Sequence, residues 1–175
     1  MHKLLCLILL FSSFILSAQN LITIFEQSNG KQTPTYFQAI DWWKKLDAAS
    51  PIVKMQAVGM TDAGYPLHLI LVSAERDFDI KSLKRKKKNI ILINNGIHPG
   101  EPDGIDASML LVKDIIQKKY TLPTNVVLAI IPVYNIGGTL NRSSKYRVDQ
   151  NGPEEFGFRG NSQNLDLNRD FIKAD

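Results

Sequence analysis

Two almost uninterrupted apolar runs, "NIILINN" from Asn89 to Asn95 and "NVVLAIIPVYN" from Asn125 to Asn135, flank an amphipathic stretch, and that order restricts the fold. Runs of this length and purity belong to strands buried on both faces of a sheet. Between them, "GIDASMLLVKDIIQKKY" sets Ile105, Met109, Val112 and Ile116 on one stripe, with Lys113, Lys118 and Lys119 off it, which is the pattern of a surface helix. Strand, helix and strand in this order imply a parallel pair joined by a right-handed crossover. The expected class is therefore α/β, with a mixed, largely parallel sheet and helices on both faces.

The rest of the chain is read around that unit. In "TPTYFQAIDWWKKLDAAS", Thr33 can cap a helix, Pro34 suits its first position, and Phe37, Ile40, Trp43 and Leu46 recur at helical spacing, so a helix is expected from Pro34 to Ala49. "IVKMQAVGM" and "PLHLILVSA", separated by the turn-forming "TDAGY", predict an antiparallel hairpin. The basic run from Lys84 to Lys88 reads as a solvated turn before a strand. From Asn135 onward the chain is polar, rich in Gly, Asn and Arg, and shows no clear helix or strand. Loops of that length are commonly functional or disordered.

Residues 1–18 have the build of an export signal: a basic start at Lys3, an apolar run from Leu4 to Leu16, and small Ser17 and Ala18 before Gln19. The run is too short to span a bilayer, which takes about 20 apolar residues. The expected division is a signal peptide over residues 1–18, an N-terminal linker over 19–32 and one domain from residue 33 to 175. A secreted or periplasmic product follows, with no membrane span in the mature chain. Cleavage removes Cys6, the one cysteine, so neither disulfides nor a thiol nucleophile remain. It also takes one Lys, leaving 20 basic against 17 acidic residues and a net charge of +3. That imbalance is too mild for a dedicated nucleic-acid binder.

In open α/β sheets, ligands gather beyond the carboxyl ends of the parallel strands. Two chemically loaded stretches emerge there. "GIHPGEPDG" sets His98 and Glu101 three residues apart in a loop that Pro and Gly hold in a tight, irregular path, where both side chains can converge on one point. Imidazole nitrogen and carboxylate oxygen suit zinc; equally, His98 can be a plain loop residue and Glu101 a charge favoured by a helix N-terminus. "FRGNSQNLDLNRDF" brings Arg159 and Arg169 among apolar and acidic neighbours. A guanidinium so placed needs an anionic partner, either Asp166 or Asp170 of the chain itself or a substrate anion.

Taken in order, "GIHPGEPDG", a helix, a strand ending "PVYN" and then "DLNRDF" resemble the zinc carboxypeptidases of the carboxypeptidase A type, over roughly residues 33 to 175. The resemblance implies that His98 and Glu101 are two of three ligands to Zn2+. It implies that Asn168 and Arg169 grip the terminal carboxylate of a peptide substrate, and that Arg159 polarises the scissile carbonyl. Arg142 and Arg147 compete for that last role. The third ligand in that family is a His on a later strand, and the general base is a later Glu; neither has a match here. His68 reads as a strand residue, and Glu154 and Glu155 as turn residues. The expectation is thus the N-terminal portion of a catalytic domain, incomplete at the C-terminus and inactive alone. Two alternatives stand beside it: an N-acyl amino acid deacylase of the same superfamily, and a non-catalytic binder of peptide C-termini.

Overall fold

The computed structural model describes residues 21–169 and residue 171. The export signal expected over residues 1–18 lies outside them, as does Asp170. Within the stretch read as a linker, Ile24–Gln27 form a short helix, α1, closed by a reciprocal cap between Thr23 and Glu26. Glu26 also accepts Lys113 Nζ at 2.6 Å, so this segment is tied to the body of the domain.

Helix α2 spans Tyr36–Ala49, two residues later than expected. A capping box requires Ser or Thr followed three residues on by Glu or Gln. Thr35 and Gln38 meet that requirement, whereas Thr33 and Tyr36 do not, so Thr35 takes the cap. Ile40, Trp43 and Leu46 are buried as the spacing predicts, but Phe37 is exposed and stands edge-on to Tyr36 and Tyr65.

Strands β1 (Val53–Met60) and β2 (Pro66–Ser73) form the expected antiparallel hairpin. Helix α3 (Ile80–Arg85) leads through the basic run, where Lys86 pairs with Asp77 and Lys88 with Glu75, into β3 (Asn89–Asn94). Helix α4 (Asp103–Ile116) then crosses to β4 (Val126–Ile131). The sheet order is β1-β2-β4-β3: β2 joins β4 antiparallel, and β3 with β4 is the parallel pair that the crossover unit requires. The sheet is mixed α/β as the sequence implies, but among the described strands two of the three pairings are antiparallel and one is parallel. The β1-β2 hairpin joins the crossover unit through β2, so the largely parallel character expected is not seen.

Side chains alternate across a strand, and the two faces of the sheet carry separate cores. On one face Ile70, Val72, Leu128 and Ile130 meet Trp43 and Leu46 of α2 and Ile105, Met109 and Val112 of α4. On the other, Leu71, Val127 and Ala129 meet Leu83 of α3. Helices therefore lie on both faces. Lys113, expected off the apolar stripe of α4, is buried. Its aliphatic stem covers core while its ammonium reaches Glu26.

One expectation fails clearly. Strand β3 reads as buried on both faces, yet Ile90, Ile91 and Leu92 are 43%, 48% and 63% exposed. It is the edge of the described sheet, with β4 its one strand partner. An apolar run records what a strand needs, not whether cover is present.

Asp106 of α4 is only 6% exposed, and burial pushes its carboxyl up to about 6. Neither its Oδ1 nor Thr33 Oγ1 finds a partner in hydrogen-bonding geometry, although Thr33 lies close enough to draw the carboxyl partly back down. Arg142 is nearby in electrostatic terms and is itself locked to backbone, donating to the carbonyls of Thr33, Pro34 and Glu155.

Candidate metal centre

The site grows from the paired ends of β3 and β4. Tyr134 N donates to Asn95 O and Asn135 N to Gly96 O, so the two strand exits stay zipped past their last sheet residues. Gly96 has φ +66°, a conformation that suits glycine, and there the chain leaves the sheet. Asn135 is buried, and its Nδ2 donates to Ile97 O at 3.3 Å and Arg159 O at 3.0 Å. One amide thus ties the loop of the first motif to the backbone of the second. Within that loop, Glu101 N donates to His98 O, a tight turn that brings the two side chains to the same side.

His98 is 5% exposed, with Nε2 2.8 Å from Asp166 Oδ1 and Nδ1 3.7 Å from Glu101 Oε1. Asp166 Oδ2 accepts Arg159 Nε at 2.9 Å, and Oδ1 also accepts Asn168 N. The His98 hydrogen bond, followed by Arg159, holds the Asp166 carboxyl down at about 2. An ionised carboxylate only accepts, so the proton of neutral His98 resides on Nε2 and the Nδ1 lone pair faces Glu101. A carboxylate fixing the tautomer of an imidazole is the usual support of a metal-binding histidine. The 3.7 Å between Nδ1 and Oε1 is close to the separation of about 3.4 Å that tetrahedral zinc imposes on two such ligands. The pair present therefore fits zinc in chemistry and in spacing.

Among the described residues, however, no group of three or more His, Cys, Asp and Glu is arranged to hold a metal. His68 lies on β2 opposite Ala57, with a buried, unpartnered Nδ1 and an imidazole that burial pushes down. Glu154 holds Gln32, and Glu155 meets Arg142.

The three arginines that compete in the sequence are separated by their surroundings. Arg142 is a backbone clamp. Arg147 donates to Glu101 Oε1 at 2.5 Å and is the main reason the Glu101 carboxyl is lowered. Arg159 shares Asp166 with His98. Asn168 and Arg169 lie on a single 3-10 turn, Leu167–Arg169, both exposed, and Arg169 makes no ion pair among the described residues. Two contributors were missed as such in the sequence: Asp166, seen there only as a partner for an arginine, and Asn135. The sole signal for Asn135 was its position at the end of "PVYN".

The sequence profile of the family described as zinc carboxypeptidase matches residues 39–174. The chain belongs to that family. No curated protein matches the chain. Solved structures with a similar fold include a Shewanella denitrificans protein described as a carboxypeptidase A, at TM-score 0.61 and 21% identity over 82% of this chain and 33% of that one. Carboxypeptidase A of Helicoverpa armigera matches at TM-score 0.53 and 16% identity, over 66% of this chain and 30% of its own. Bovine thrombin-activatable fibrinolysis inhibitor, solved in complex with tick carboxypeptidase inhibitor, matches at TM-score 0.52 and 21% identity, over 74% and 38%. At these identities the likeness is one of fold, and the chain spans about a third of each of those structures.

Proposed function

We propose that this member of the family carries part of the active site of an exported, zinc-dependent carboxypeptidase acting on peptides with a free C-terminal carboxylate. The observation that carries the reading is the Asp166 carboxylate, whose two oxygens hold His98 and Arg159 and so draw both sequence motifs to one point. His98 Nδ1 and Glu101 would hold the zinc, which when bound supplies an acidified water and a Lewis acid for the scissile carbonyl. Arg159, half-exposed and steered by Asp166, is positioned to place positive charge where the carbonyl oxygen gains negative charge. Arg169, free of internal ion pairs among the described residues, offers a planar fork to the substrate carboxylate, with Asn168 beside it. Fixing that carboxylate sets the scissile bond in register with the metal loop.

With two ligands in place, residues 1–175 alone are proposed to turn over negligibly. Export rests on residues 1–18. Among the described residues, no helix is long and apolar enough to cross a membrane.

Binding of a fluorescent peptide and of its C-terminal amide to the chain tests the recognition step. The free acid is expected to bind more tightly, and Arg169→Ala to erase the difference. Equal binding of acid and amide, or submicromolar zinc affinity together with release of a C-terminal residue by this chain, would contradict the reading. Tight binding of the acid that ignores His98→Ala and chelator would instead favour a non-catalytic binder of peptide tails.

A further inference from the structure

We propose that Arg147 is a displaceable cation seated on the ligand carboxylate, so that loading the metal loosens the stretch from Arg147 to Asp149 between its anchors at Tyr146 and Gln150. The proposal rests on the assignment of His98 and Glu101 as ligands. One oxygen of Glu101 is claimed twice. Glu101 Oε1 is the oxygen that faces His98 Nδ1, and it is also the oxygen that accepts Arg147 Nη2 at 2.5 Å. A guanidinium and a divalent ion on the same oxygen repel each other strongly at such range. Either the guanidinium leaves or the carboxylate turns to offer its other oxygen, and both movements pull on Arg147.

Arg147 is one of few ties between its segment and the loop. A Cβ built on Gly100 would come within 2.7 Å of Arg147 Nε, so the side chain lies directly over the loop and glycine leaves it room. Gln150 Nε2 donates to Gly100 O at 2.9 Å. Val148, between these two anchors, is 96% exposed. On the far side, Tyr146 is fixed elsewhere, its hydroxyl on Asn141 Oδ1 and its ring edge-on to Phe158. Losing the Arg147 contact leaves Val148 and Asp149 held by Gln150 and the chain alone.

The test is zinc titration of the full 175-residue chain against a chromophoric chelator, with hydrogen exchange followed over residues 146–150. A partly exposed ion pair contributes up to about 1 kcal/mol, so Arg147→Met is expected to bind zinc about fivefold more tightly, while Arg147→Lys stays near the parent. In the unmodified chain, saturating zinc is expected to speed exchange over residues 146–150, a measurement that needs no folded variant. Equal or weaker zinc binding by Arg147→Met, or slower exchange of the segment on loading, overturns the proposal. His98→Ala separates the two levels. If it abolishes binding while Arg147→Met matches the parent, only the role of Arg147 falls. If zinc binding survives His98→Ala, the ligand assignment falls and the proposal with it.

Discussion

Replacing Asp106 by Asn is expected to stabilise the protein at neutral pH and to remove a pH dependence from its unfolding. In the unfolded chain the carboxyl titrates near 3.9, about its usual value; in the folded chain burial raises it to about 6. Between those values the folded state keeps a proton that the unfolded state has released. Stability therefore falls as pH rises from about 4 to about 6 and stays lower above that window. About two pKa units at 1.36 kcal/mol each give a ceiling near 3 kcal/mol. The substitute amide still has to be buried beside Thr33, and Arg142 already offsets part of the charge. A gain of about 1–2 kcal/mol at pH 8 is the reasonable expectation, or about 3–6 °C in Tm for a chain of this size. Urea unfolding followed by circular dichroism at pH 4 and pH 8 measures it. The reasoning is refuted if the variant is less stable than the parent at pH 8, or if the difference between them is the same at both pH values.

Four further outcomes follow from the contacts described. Arg142→Gln should lose about 2–3 kcal/mol in a urea melt, because three backbone carbonyls lose their donor; a loss under 0.5 kcal/mol would mean the clamp is not structural. Asp166→Ala should let His98 populate both tautomers in long-range 15N–1H spectra. In the parent, the Asp166 contacts should persist above about pH 4 and disappear as pH falls through about 2, since this carboxyl is depressed in the folded state. Ile91→Lys, on the exposed edge strand, should leave stability within about 0.5 kcal/mol and reduce light scattering at high concentration, because open apolar edges invite pairing between copies.

What could be read from the residues follows the range of the interactions involved. The hairpin and the crossover unit depend on local periodicity and turn residues, and both appear where expected. Helix α2 starts two residues past the Thr33–Pro34 signal because Thr35–Gln38 offers a stronger, reciprocal cap. The exposure of β3 was illegible in principle, since apolar composition says nothing about what lies alongside. In the site, His98 and Glu101 could be paired from their spacing. The grip of Asp166 on His98 spans 68 residues and leaves no local pattern. Arg142, Arg147 and Arg159 carry the same charge within eighteen positions, and only their partners distinguish the backbone clamp from the guanidinium on Glu101 and from the one that shares Asp166 with His98.

Anyone wishing to transplant this centre into another scaffold would find that the loop around His98 is not a portable part. Its imidazole is set by a carboxylate far along the chain, and that carboxylate is in turn shared with Arg159, while Asn135 joins the two backbones from a third position. The smallest piece that carries its own alignment runs from the end of β3 to the 3-10 turn at Arg169, helix α4 and strand β4 included. A nine-residue graft of "GIHPGEPDG" would bring His98 and Glu101 with the turn between them and leave behind Asp166, Arg159 and Asn135.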